Sequence, residues 1–433
     1  MTAYTLSKEE VTRLRTLAKR QTELAALPVM ELRKKLWMDM NDGVSGARPP
    51  FAIEAFSFDR DFLPDSLLQC SSEYGKKLER TFLRHIRHHE ILNDDQVCPN
   101  TLDMDWHIEY NEFGIEIETT HVKDSEGVAT GYHFEHPIKN LEDGFGMISP
   151  ASFRVDRTAT AAEKEFLEEN FGDILPVEIR CSVYGGTYAR NNMTQRLMRL
   201  MSMETLFMAM YDCPDKLHAI MALMRDNAVL MSRWAEAEGL LTLNNGNQCT
   251  CGTCYNFTTL LPERKVDGNV RTRDLWAGMD SQETVGVSPE LFHEFIFPYY
   301  RELAEMYGLV YWGCCEPADP IWENSLSQLP NLKAVSISRW ANQNFMAEAL
   351  AGRNMVFSRK PNPNLLGVDI KLDEAAWSAE IRSTLDATAG KALNLEFVVR
   401  DVYTLHGDVG KARRAVELAR QEIDRRFGAI KEC

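Results

Sequence analysis

Residues 309–340, LVYWGCCEPADPIWENSLSQLPNLKAVSISRW, decide the fold. Leu309–Trp312 is a short apolar run that stops at Gly313-Cys314-Cys315-Glu316-Pro317. A helical stretch around Trp322 follows. A second apolar run, Leu332-Lys-Ala-Val-Ser-Ile337, then stops at Ser338-Arg339-Trp340. Short apolar runs spaced by helix-length segments are the pattern of parallel strands joined by crossover helices. Each run ends in polar or reactive side chains just before the next helix, which is how the strand ends of an α/β barrel build one site at its mouth.

The same unit recurs on both sides. Asp274–Met279 leads into Asp280-Ser281-Gln282-Glu283, and Ser288-Pro289-Glu290 opens a helix expected to reach Gly308. Downstream, Met355–Phe357 leads into Ser358-Arg359-Lys360-Pro361, and Leu393–Val399 leads into Arg400-Asp401 before a closing helix. Upstream, Leu240–Leu243 exits into Asn244-Asn245-Gly246-Asn247. Leu197, Leu200, Met201, Leu206 and Met210 predict one helix, stopped by Asp212-Cys213-Pro214-Asp215. Pro50–Phe56 and Val177–Tyr184 complete the good strand candidates, and Ile91–Cys98 is a weaker one. Nine candidates then compete for the eight positions of a barrel, and the surplus is Leu240–Leu243 or Ile91–Cys98. The expected architecture is α/β: a (β/α)8 TIM barrel over residues 46–433 behind an N-terminal helical extension over 1–45. Alternating side chains and turns at Gly114, Gly127 and Gly131 predict an inserted β-hairpin near 106–137.

A chain of 433 residues can bury a large core. No apolar run approaches the roughly 20 residues that span a bilayer, so no membrane partner is expected. The N-terminal stretch is polar and lacks the layout of a secretory signal, which predicts a cytoplasmic protein. A net charge of −16 repels phosphate backbones and excludes nucleic acid as a natural partner. Ten cysteines in such a chain read as thiols, metal ligands or reactive groups rather than disulfides. Cys70, Cys98, Cys181, Cys213 and Cys433 are scattered singly, as packing residues are. The methionines at helical spacing also read as core, and His85, His88 and His89 as a solvated helix face.

The chemistry is expected at the strand ends. Cys314 and Cys315 offer thiolate sulfur for zinc at a barrel mouth, with Glu316 beside them. The alternative is one buried thiol and one unreactive surface thiol. Cys249, Cys251 and Cys254 form a second cluster, short of a fourth ligand nearby in sequence. Asp280 and Glu283 pair carboxyls for general acid–base work, with Glu316 a third, against the alternative of helix capping. Asn245, Gln282 and Trp312 would line the mouth. Arg339, Arg359 and Lys360 would grip a carboxylate or phosphate, or serve as structural ion pairs.

The stretch DSQETVGVSPELFHEFIFPY (280–299) resembles the uroporphyrinogen decarboxylase superfamily, in which a strand ending in an acidic residue meets a helix opening Ser-Pro-Glu and closing near Phe-x-x-Pro. Met203-Glu204 to Asp212-Cys-Pro-Asp215, and Asn362-Pro363 after a strand, look similar, so the resemblance covers roughly residues 170–425. It implies either porphyrinogen decarboxylation or zinc-dependent methyl transfer to or from corrinoids on one barrel. The Arg-rich motif of the decarboxylase branch is missing from Arg48–Phe56. The His-x-Cys of the methyltransferase branch stands here as Trp312-Gly313-Cys314, with Asp401 or His406 near the last strand in place of a further Cys. The resemblance therefore implies a methyltransferase that passes a methyl group from a small O- or N-methyl compound to a corrinoid on a partner protein. Zinc would be its metal and a homodimer its assembly. Two rivals are a metal-independent decarboxylase or lyase acting on a small carboxylate, and a non-catalytic barrel that binds a tetrapyrrole or corrinoid.

Overall fold

The computed structural model describes residues 4–115, 117–123, 129–181, 191–251, 254–263 and 268–429. Eight strands organise it: β1 (Phe51–Ile53), β2 (Leu102–Asp105), β3 (Val177–Arg180), β4 (Trp276–Met279), β5 (Leu309–Trp312), β6 (Leu332–Ile337), β7 (Val356–Arg359) and β8 (Asn394–Val399). Six of them form one sheet in the order β1-β8-β7-β6-β5-β4, with Phe51 opposite Phe397 and Met279 opposite Trp312. β2 and β3 pair separately, Leu102 opposite Val177. The six sheet strands are buried on both faces, which is why most of them read as unbroken apolar runs. Phe51, Ile53, Phe397 and Val399 face one apolar cluster, whereas Ala52 and Val398 between them face another that also holds Trp37 and Tyr311.

The six-stranded sheet does not close on itself by a backbone ladder among the described residues. Its two edges are satisfied by side chains instead. At β1, Asp95 Oδ2 accepts from Phe51 N and Asp94 Oδ2 from Ile53 N, each at 2.9 Å. At β4, the Asn244 amide spans Trp276, accepting from its N–H and donating to its carbonyl, both at 2.9 Å.

Several expectations are corrected. Leu240–Leu243 is not a strand, and it does not exit at the mouth. Trp106 Nε1, just past the end of β2, donates to Leu240 O, while Asn245 shares a cavity with Asn100 and Thr101, just before the start of β2. Ile91–Cys98 is a π-helical turn (His88–Leu92) followed by a loop, and the strand of that region is Leu102–Asp105. The helix read through Leu197–Met210 is two, α4 (Met193–Leu200) and α5 (Met203–Asp212), because the Ser202 hydroxyl caps the second by accepting from Thr205 N at 3.1 Å. The helix opening at Ser288 is also two, Pro289–Phe295 and Phe297–Ala304, and Pro298 in the first turn of the second supplies no N–H to continue the first. His85, His88 and His89 are packed rather than solvated. His85 bonds Gln21 at 3.0 Å, and burial, aided by His88 and Arg84, lowers its pKa to about 4.

At the N-terminus, α1 (Lys8–Ala25) packs on α3 (Glu73–Arg87), and α2 (Pro28–Asp42) seats Trp37 in the core. Thr119–Lys123 and Ala129–Phe134 form an antiparallel pair, and Ile108–Asn111 pairs with Ser152–Val155. Gly131 lies within that first pair, opposite Val122, and Gly127 lies outside the described residues. No helix of the described residues is long and apolar enough to cross a membrane.

Candidate active site

The C-terminal ends of β1, β4, β5 and β8 bring Glu54, Asp280, Cys314–Glu316 and Arg400–Asp401 into one connected group. Gly313 makes this turn at β5. Its φ is +100°, and a Cβ there would meet Ser336 Cβ at 3.0 Å, so only glycine fits without strain. Glu316 then folds back, accepting from Cys314 N at 2.9 Å and from Ser281 N at 3.2 Å. Its carboxylate ties the end of β5 to the end of β4.

Asp280 is fully buried, and its pKa is pushed well up by that burial and by the neighbouring charges of Glu316 and Glu283, with Arg400 opposing. Glu316 is raised too, chiefly by burial, against its backbone hydrogen bonds. Burial and like charge favour the protonated form of Asp280. Glu283 lies in the turn after Asp280 and accepts from Thr194 Oγ1 at 2.8 Å, while Tyr300 Oη donates to Asp280 O at 2.5 Å. Glu283 also borders a cavity of about 600 Å³ lined by Gln195, Met198, Arg199, Met203 and His136.

The thiols are equally organised. Arg400 Nη1 donates to Cys314 Sγ at 3.1 Å and Arg400 Nε to Glu54 Oε2 at 2.8 Å. The two sulfurs are 3.5 Å apart, and Cys315 donates to Asp401 Oδ2 at 3.0 Å. Cys315 is pushed far up by its bond to Cys314, by burial and by the adjacent negative charges, so it keeps its proton. Of the two thiols, Cys314 is the one that faces a guanidinium. This arrangement does not fit zinc. A dication would have to displace the cation already on Cys314, and the described residues contain no group of three or more His, Cys, Asp or Glu placed to hold a metal. No step is derived through one. Cys254, from the other cysteine cluster, is buried at 3.7 Å from Lys360 Nζ, and the Cys251 side chain lies outside the described residues.

The remaining sequence-predicted residues scatter. Gln282 is half-buried in the turn after Asp280. Trp312 is fully buried on the helix side, edge-on to Tyr300 at 5.0 Å. Arg359 is buried against Ser338 O (2.8 Å) and Glu380 (3.0 Å). Lys360 turns inward to Tyr311 Oη (2.6 Å) and Ser358. Arg339 bonds Asn362 at 2.7 Å and stacks over Trp340 at the rim, and Asn245 lies at the opposite end of the strands. None of the three basic side chains is presented as an open anion clamp. Glu54, Thr194 and Tyr300 were not legible as site residues, and the only signal for Arg400 was its place directly after an apolar run.

No family model matches the chain. No curated protein matches it either. Among solved structures it matches a methyltransferase from Methanosarcina mazei, at 11% identity and a TM-score of 0.49, over 90% of this chain and 98% of that one. A likeness that thin carries no argument about chemistry, and the site stands on its own geometry: buried carboxyls at the ends of two neighbouring strands beside an arginine-paired thiol.

Proposed function

We propose that this chain is a methyltransferase that takes a methyl group from a small O- or N-methyl compound bound at the strand ends. The acceptor is a corrinoid carried by a partner protein, which supplies the nucleophile for the methyl group. The observation that carries the reading is Asp280, a fully buried carboxyl at a strand end tied by Glu316 to the neighbouring strand. A methyl group leaves oxygen or nitrogen readily only when that atom takes a proton, and a carboxyl that stays protonated near neutral pH is the group to give it. Asp280 is the proton donor, Glu316 ties its strand end to that of β5, and Glu283, fixed by Thr194, orients the substrate. The cavity beside Glu283 has the size of a small-molecule site. In this reading the eight strands form one (β/α)8 unit, residues 1–45 are its helical extension, and Cys314 with Cys315 serves as a thiol pair.

The test is to incubate the protein with methylated amines and ethers and reduced cobalamin as acceptor, and to measure the demethylated product. Asp280→Asn is expected to lose at least a hundredfold in rate with the fold intact, in line with loss of an acid group, and Cys314→Ala to lose rate through the freed Arg400 guanidinium. Unchanged rates in both variants would sink the assignment. Release of CO2 from a small carboxylate without any acceptor would replace it by a lyase.

A further inference from the structure

The two thiols at the end of β5 stand 3.5 Å apart, and each is oriented by a different residue at the end of β8. Arg400 Nη1 donates to Cys314 Sγ at 3.1 Å, and Cys315 donates to Asp401 Oδ2 at 3.0 Å. A guanidinium beside a sulfur favours its nucleophilic form, and a carboxylate bonded to a thiol is placed to take its proton. One thiol is set to attack and its neighbour to follow. The singly buried cysteines differ. Burial pushes Cys70 and Cys98 each up to about 12, which keeps them protonated and unreactive at neutral pH. Cys314 is 5% exposed and Cys315 half-buried, so a small oxidant reaches the pair more readily than a bulky one.

The backbone decides what kind of bond the two would form. Neighbouring Cα atoms across a trans peptide lie about 3.8 Å apart, whereas the ends of a disulfide ordinarily lie about 4.4–6.8 Å apart. A bond between adjacent cysteines is therefore strained, and strained disulfides are the readily reduced, regulatory ones. Here Ser336 Oγ donates to Cys314 O, the carbonyl of the peptide that joins the two, at 2.7 Å, and Glu316 accepts from Cys314 N at 2.9 Å. Held at both points, that stretch of chain resists the distortion the bond needs. Closing the bond also draws the Cys314 sulfur away from Arg400. Arg400 is a cation that acts on Asp280 as well, so the state of the thiols reaches the buried carboxyl.

We propose that Cys314 and Cys315 form a reversible redox pair, which closes to a disulfide under hydrogen peroxide and switches off the strand-end site. The Cys314 sulfur attacks one peroxide oxygen. An S–O bond forms, the O–O bond breaks, and the departing hydroxide takes the Cys314 proton and leaves as water. The Cys315 sulfur then attacks the Cys314 sulfur while its proton passes to Asp401. The S–S bond forms, the S–O bond breaks, and the second hydroxide takes that proton and leaves as water. The two thiols lose two electrons and the peroxide gains them. A small dithiol reverses the step by two thiol exchanges. The switch rests on the reading of the strand ends as the methyl-transfer site, and the thiol chemistry does not.

The experiment treats the full-length protein with a small excess of hydrogen peroxide, blocks remaining thiols with iodoacetamide and weighs the tryptic peptide Glu302–Lys333, whose cysteines are these two alone. The peptide is expected two hydrogens lighter and free of alkyl groups, with both thiols restored by dithiothreitol. Cys315→Ser should stop instead at a sulfenic acid on Cys314, which dimedone traps. Methyl transfer by the oxidised protein should fall at least tenfold and return on reduction. A peptide that keeps two alkylated cysteines after peroxide overturns the proposal. So does a bond from either cysteine to another peptide, or an oxidation that dithiothreitol leaves in place. A closed pair that transfers at the reduced rate overturns the switch. A pair that closes and reopens in a protein that transfers nothing in either state keeps the redox pair and removes the transfer reading.

Discussion

Replacing Arg400 by methionine removes the cation that serves both Glu54 and Cys314. The Glu54 side chain is 1% exposed and the Arg400 side chain 12%, with 2.8 Å between Nε and Oε2. Taking about 4 Å between charge centres and an effective dielectric near 20, the attraction is about 4 kcal/mol. Stranding one buried partner of such a pair costs about 3–5 kcal/mol. Ser57 still donates to the other carboxylate oxygen at 2.8 Å, which places the expected loss toward the lower end of that range. That is a large part of the roughly 5–15 kcal/mol by which domains are stable. Urea unfolding of Arg400→Met should show it directly. The double variant Glu54→Gln, Arg400→Met should recover more than half of the loss, because the amide left behind carries no charge to desolvate. A single-variant loss below about 1 kcal/mol would mean the pair behaves as an exposed one. A double variant no more stable than the single would refute the stranded-charge argument itself.

The thiol pair makes a counterintuitive prediction. Iodoacetamide at neutral pH should modify Cys314 before Cys315, although Cys315 is the more exposed, because the Cys315 proton is held and Cys314 faces Arg400. Peptide mass spectrometry reads the order, and Cys315 labelled first would contradict it. Asp280 makes a pH prediction. A carboxyl whose folded pKa is raised contributes its stability below the unfolded value, about 3.9, and loses it as pH rises through the folded one. The melting temperature of Asp280→Asn should therefore gain on that of the wild type as pH climbs above about 4. A difference that stays flat with pH would show that no proton is held there.

The contrast between strands shows what a linear reading can reach. β5 and β6 were legible to the residue, because a parallel strand buried on both faces needs apolar side chains at nearly every position. The positions of Asp280, Glu283, Cys314, Cys315 and Glu316 followed, since each comes directly after such a run or within a few residues of its end. β2 is Leu-Asp-Met-Asp, with alternate residues exposed, and so short a run has no signal to raise it above a loop. Leu240–Leu243 is as apolar as a strand, yet only the tertiary structure shows that it joins no sheet, with Asn244 directly after it bonding Trp276 at the start of β4.

For the site, the amino-acid sequence by itself determined which reactive side chains stand at strand ends, because local apolar patterning positions them along the chain. Only the tertiary structure decided which of them meet. Arg400 finds Glu54 across 346 residues and Cys314 across 86. Arg359 and Lys360 look identical to it in sequence, and face Glu380 and Tyr311 instead. Side chains at successive positions of a strand point to opposite faces, so one residue's difference in register separates a site cation from a packing ion pair.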